Sequence, residues 1–138
     1  MSEISVVIGV LHDIHNFGVR VITYALQKAG FKVIDVGAMA THEDYINAAI
    51  ETDAKVILVS SSYGHALMDC QGMRGKCQEA GLDDIVLYIG GNLVVTEQDQ
   101  EWRDIEKAFQ EAGFDRAFPQ TTTPEQLIEN LRLDLRLS

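Results

Sequence analysis

Short apolar runs alternate along the chain with longer stretches whose apolar residues recur every three or four positions. Residues 5–11 (SVVIGVL) are rich in β-branched side chains and predict a strand buried on both faces. Residues 19–29 have helical spacing, with Val19, Ile22, Ala25 and Leu26 on one side and Gly30 as the stop. Residues 31–36 (FKVIDV) predict a second strand, and residues 41–50 a second helix. That helix has Thr41 or His42 near its cap and Glu43 and Asp44 in its first turn, where acidic groups complement the helix dipole. Residues 55–59 (KVILV) predict a third strand, residues 67–80 a third helix and residues 84–89 (DIVLYI) a fourth strand. Residues 98–112 predict a fourth helix, Ala117 and Phe118 a short last strand, and Thr123-Pro124-Glu125 the capped start of a last helix.

Five β and α units in alternation imply a parallel sheet with helices on both faces. The expected fold is a flavodoxin-like (Rossmann-like), doubly wound α/β sheet of five strands in the order 2-1-3-4-5. Ala29-Gly30, Ala80-Gly81 and Ala112-Gly113 all fall at helix-to-strand turns, which supports the same frame. The 138 residues are expected to form a single domain, residues 1–138, large enough to bury a core without staples.

Composition narrows the classes of function. The chain is 46% hydrophobic and 23% charged, as soluble globular proteins are, and its formal net charge is −10. Phosphate binding needs clustered Lys and Arg, so a nucleic-acid surface is not expected. No apolar stretch approaches the ~18 residues that a membrane helix needs, and no basic-plus-apolar leader opens the sequence. Cys70 and Cys77 sit on one predicted helix about 10 Å apart along its axis. That distance rules out a mutual disulfide and points to reduced thiols in a cytoplasmic protein.

In this fold ligands bind beyond the carboxyl ends of the strands, at the point where strand order reverses. The first strand ends in His12-Asp13-Ile14-His15-Asn16-Phe17-Gly18, the third in Ser60-Ser61-Ser62-Tyr63-Gly64 and the fourth in Gly90-Gly91-Asn92. Asp13 and His15 supply an imidazole and a carboxylate that could fix its tautomer, the pairing common at metal centres. Taken alone, an Asp-x-His loop is more often a cap beside a solvated histidine. Gly18 permits a tight turn into the helix, and Gly90-Gly91 leaves room for a large ligand to approach the backbone.

Spacing adds a resemblance. Gly18 and Ser60 are separated by 41 residues, and Ser62 and Gly90 by 27. The run Asp-x-His-x-x-Gly, then Ser-x-x, then Gly-Gly in that register resembles the cobalamin-binding domains of methylmalonyl-CoA mutase, methionine synthase and glutamate mutase. The resemblance is closest to the small (sigma) cobalamin-binding subunits of glutamate mutase. It covers essentially the whole chain and includes Asn47-Ala48-Ala49-Ile50-Glu51-Thr52, Asp69-Cys70-Gln71-Gly72 and Gly113-Phe114-Asp115-Arg116. It implies a subunit of an adenosylcobalamin-dependent isomerase that interconverts L-glutamate and threo-3-methylaspartate by a radical route. It also implies a large barrel subunit as partner, in a hetero-oligomer of two small and two large chains.

By the same resemblance His15 is the lower axial ligand to cobalt, oriented by Asp13, and His12, Ile14, Asn16 and Gly18 surround it. Ser60, Ser61, Ser62, Tyr63 and Gly64 line one side of the pocket for the cofactor's nucleotide tail, and Gly90, Gly91, Asn92, Leu93, Val94 and Val95 the other. Ser62 stands where the pattern has Leu, which implies a more polar tail pocket. His12 stands where these subunits have a small residue, which puts a second imidazole near the site.

Three other readings fit less well. A metallophosphoesterase needs a Gly-Asp motif and a later Asn-His pair, and neither occurs. A receiver domain needs an acceptor Asp where Ser60 stands and a Lys where Gly-Gly follows Ile89. A corrinoid carrier for methyl transfer bears a helical domain before the Asp-x-His. Only 12 residues precede Asp13, so the upper face of the cofactor is expected to be covered by another chain. Of the remaining residues, His42 is expected at a helix start, Trp102 and Phe109 in the core, and Arg74 and Lys76 on a solvated face.

Overall fold

The apolar runs pair into one parallel sheet made of β1 (Ser5–Val10), β2 (Lys32–Asp35), β3 (Val56–Ser61), β4 (Val86–Gly91) and β5 (Arg116–Phe118). Its order is β2-β1-β3-β4-β5, as the alternation of elements predicts. The structure is a computed structural model, and it describes residues 4–11, 17–61, 66–91, 93 and 102–137.

Every residue of β1 is buried because helices cover both faces of the sheet. On one face Val7, Ile57, Val59, Leu87 and Ile89 pack against α2 (His42–Thr52), α3 (Ala66–Asp69), α4 (Met73–Glu79) and α5 (Trp102–Glu111). Tyr45, Cys70, Met73 and Phe109 fill that layer. On the other face Val6, Ile8, Leu58 and Tyr88 meet Val19 and Leu26 of α1 (Phe17–Lys28) and Leu127 and Leu131 of α6 (Pro124–Asp134).

Local chemistry explains the boundaries. Thr41 with Asp44 and Thr123 with Gln126 form reciprocal capping boxes at the starts of α2 and α6. After each Ala-Gly stop, a backbone N–H reaches back five residues: Phe31 to Leu26, Leu82 to Cys77 and Phe114 to Phe109.

Three features differ from the sequence-based expectation. The third helix is two helices, because Gly72 takes a left-handed conformation (φ 82°) that ends the first and starts the second. Cys70 therefore precedes α4 rather than sharing a helix with Cys77, although both thiols are buried and free. The third strand runs on past the expected end at Val59 to include Ser60 and Ser61, which pair with Gly90 and Gly91 in the ladder. Arg74 is not on a solvated face. Its guanidinium donates to Gly113 O (2.8 Å), Ile85 O (2.9 Å) and Asp115 Oδ2 (2.9 Å), and Asp115 also accepts from Leu87 N. That network fastens α4 to the start of β4 and β5.

Candidate functional site

The register aligns Val10 with Ser60 and Ser60 with Gly90, so the carboxyl ends of β1, β3 and β4 lie side by side. Beyond Val10, Leu11 N donates to Ser60 O (2.9 Å) and Leu11 bridges to Ala40. Val10 N donates to Gly37 O and Ala40 N to Val10 O. The chain therefore enters residues 12–16 from a base held on both sides.

Of the residues expected from sequence, Gly18, Ser60, Ser61, Gly90 and Gly91 line one cavity of about 450 Å³. Leu93 is buried in the opposite layer with Ile89 and Phe109, and does not line it. His12, Asp13, Ile14, His15, Asn16, Ser62, Tyr63, Gly64, Asn92, Val94 and Val95 lie outside the described residues.

The two glycines have separate reasons to be glycine. Gly91 has φ 115°, and a Cβ there would sit 2.0 Å from Ser61 O, so only glycine lets β4 pass β3 this closely. A Cβ on Gly90 would meet nothing nearer than Phe118 Cβ at 3.8 Å, so its position opens toward the cavity.

Val19 and Ile22 of α1 form one wall of the cavity, and Leu58 and Tyr88 form its floor. Phe118, Pro119, Thr122, Thr123, Pro124 and Leu127 form the far wall. Sequence reasoning missed this wall because it looked only at the ends of strands one, three and four. The capped start at Thr123-Pro124 was the available signal, since the helix after β5 must begin at the same edge of the sheet.

Among the described residues no Asp, Glu, Lys, Arg or His lines the cavity, and the polar lining residues are Ser60, Ser61, Gln120, Thr122 and Thr123, with the Tyr88 phenol below. Such a cavity suits an uncharged aromatic group with a few hydrogen-bonding atoms, and its size falls within the usual range for small-molecule sites. Ser61 Oγ is fully buried, has no hydrogen-bond partner among the described residues, and by strand alternation lies on the face of Val59, opposite the Leu58 floor. The uncharged lining with the hydroxyls of Ser60, Thr122 and Thr123 fits the base and sugar of a nucleotide tail.

The described residues contain no group of three or more His, Cys, Asp or Glu able to hold a metal. His42 is buried at the first turn of α2, and its Nε2 lies 2.6 Å from Asp69 O, joining α2 to α3. Burial pushes the Cys70 thiol up to about 12, and that of Cys77 upward as well, so neither is an activated nucleophile.

Comparison with known proteins agrees with this geometry. The B12 binding domain family matches residues 4–113. The chain is 50% identical over 138 residues to the glutamate mutase sigma subunit of Carboxydothermus hydrogenoformans, covering 99% of both chains. It is 46% identical to that of Clostridium tetani over the same share of each. Among solved structures, a cobalamin-binding protein from Desulfitobacterium hafniense DCB-2 superposes with a TM-score of 0.76 at 18% identity. That match covers 96% of this chain and 60% of the other, and it bears on the fold alone.

Proposed function

Since this chain belongs to the B12 binding domain family, and within it to the glutamate mutase sigma subunits, we infer that it is the cobalamin-binding subunit of a glutamate mutase. The observation that carries the reading to particular residues is the uncharged cavity at the aligned ends of β1, β3 and β4. The cofactor we assign is adenosylcobalamin, and the partner a large barrel subunit that closes over the carboxyl edge. When bound, adenosylcobalamin would supply the radical chemistry for exchange between L-glutamate and threo-3-methylaspartate.

This chain's residues would bind and orient rather than react. His15 would be the protein's ligand to cobalt. Asp13 would accept the imidazole's other N–H, which fixes the tautomer and raises ligand basicity. The cofactor's nucleotide tail would be held in the cavity between α1 and α6. There Ser60 and Thr122 offer hydroxyls, and Val19, Ile22 and Leu127 exclude water. Two buried free thiols support a reducing, cytoplasmic setting, and no helix among the described residues is long and apolar enough to cross a membrane.

The test is electron paramagnetic resonance of cobalt(II) cobalamin bound to wild type and to His15→Ala, with nitrogen-15 histidine. Coupling to a protein nitrogen is expected in wild type and should vanish in the variant. Coupling to the cofactor's own benzimidazole nitrogen in wild type would overturn the axial assignment.

A further inference from the structure

Tyr88 forms part of the cavity floor, with its ring tilted against Phe118 at a centroid distance of 5.0 Å. Its hydroxyl donates to Asp134 Oδ2. Asp134 is the last residue of α6 and also receives Arg116, from Nε to Oδ2 at 2.7 Å and from Nη2 to Oδ1 at 3.0 Å. Arg116 in turn neighbours Tyr88 across the ladder between β4 and β5. One carboxylate thus ties the end of α6 to two strands through a bidentate pair and a phenol.

The opposite end of α6 is the far wall of the cavity, formed by Thr123, Pro124 and Leu127. An 11-residue helix behaves as a rod about 16 Å long, so fixing its last turn fixes the direction of its first. The same carboxylate also sets the position of the Tyr88 ring. The far wall and the floor of the cavity therefore share one fastening.

Two facts separate this from plain stabilisation. The Arg116 and Asp134 side chains are 37% and 25% exposed, so solvent screens the ion pair and its contribution to folding is modest. The helix is already seated by buried Leu127 and Leu131. What the pair adds is direction.

We propose that Asp134, Arg116 and Tyr88 act as a positioning clamp that preforms the cavity for the uncharged base of the cobalamin nucleotide tail. The proposal rests on the reading of this chain as a cobalamin-binding subunit. Its chemical consequence is selective: the clamp matters for a corrinoid that carries the tail and not for one that lacks it.

The experiment titrates the full chain, as wild type, Tyr88→Phe and Asp134→Asn, with cyanocobalamin and with dicyanocobinamide, which has no nucleotide tail. Tyr88→Phe keeps the ring and removes only the hydroxyl, so it reports even if Asp134→Asn folds poorly. Both variants should bind cyanocobalamin about tenfold more weakly and bind cobinamide within about twofold of wild type, because a preformed site lowers the cost of ordering on binding. Unchanged cobalamin affinity overturns the clamp. So does a parallel fall for both ligands, which is the mark of a merely structural role. Wild type that binds both ligands equally tightly overturns the clamp and the tail cavity together, while leaving cobalamin binding intact. Wild type that binds neither removes the underlying reading itself.

Discussion

Gly91 and Gly90 are adjacent but predict opposite results. Gly91→Ala puts a methyl 2.0 Å from Ser61 O at a φ of 115°, so β3 and β4 must separate where the cavity begins. Denaturant unfolding should show a loss of about 2–4 kcal/mol, with backbone strain and overpacking both contributing. Gly90→Ala, whose methyl has 3.8 Å of room, should stay within about 1 kcal/mol of wild type. Equal losses would mean that the close approach at Ser61 is not what requires glycine. The spacing motif in the sequence marks both glycines, but only the backbone geometry distinguishes the crowded one from the one that opens to the cavity. The cysteines give a second result at this scale. With the Cys70 thiol pushed up to about 12 by burial and that of Cys77 raised for the same reason, the folded chain should resist a thiol reagent at pH 8. Both should label rapidly once denaturant is added. Fast labelling of the native protein would contradict the burial.

At the scale of elements, the first turn of α6 has two duties. Thr123 closes a capping box with Gln126 and also lines the cavity. Thr41 closes an equivalent box on α2 with Asp44 and is not a lining residue. Thr123→Ala and Thr41→Ala should each cost about 1 kcal/mol of stability, but only Thr123→Ala should also weaken cobalamin binding at equal folded fraction. Equal binding by the two variants would detach the α6 wall from the ligand. Both helix starts were readable in the sequence, Thr123 outright and Thr41 as one of two cap candidates beside His42, because a cap is a local event within four residues; the reciprocal partners Asp44 and Gln126 came from the structure. The five strands were readable for a related reason, since burial on both faces demands unbroken apolar runs such as SVVIGVL. The break at Gly72 was not, because the apolar spacing of Leu67, Cys70, Met73 and Cys77 continues through it at a helical period. Arg74 was misread for a different reason. Its partners Ile85, Gly113 and Asp115 are 11 to 41 residues away, and no local pattern announces them.

For the whole molecule, acid response and division of labour follow from where the charges are. The guanidinium of Arg116, and then the Tyr88 hydroxyl, hold the Asp134 carboxyl below the usual carboxylate range. A carboxyl depressed in the folded state contributes stability above its unfolded value, and that contribution is lost as pH falls through the folded value. Wild type should therefore shed stability below about pH 4 that Asp134→Asn never had, and the two unfolding curves should converge in acid. Curves that stay parallel down to pH 3 would show that the carboxylate contributes nothing. The cavity itself has the reverse character. Its described lining carries no carboxylate, imidazole, ammonium or guanidinium, a surface suited to holding an uncharged group rather than the carboxylates of glutamate. On the proposed reading this chain orders the cofactor, and the charged groups that hold the amino-acid substrate are expected on the large subunit. The isolated protein with adenosylcobalamin should bind the cofactor and leave glutamate unchanged, and 3-methylaspartate should form only when a glutamate mutase large subunit is added. Formation of methylaspartate by this chain alone would require substrate-binding charges elsewhere on it. No formation with any large subunit would point to a role in carrying a corrinoid rather than in the mutase.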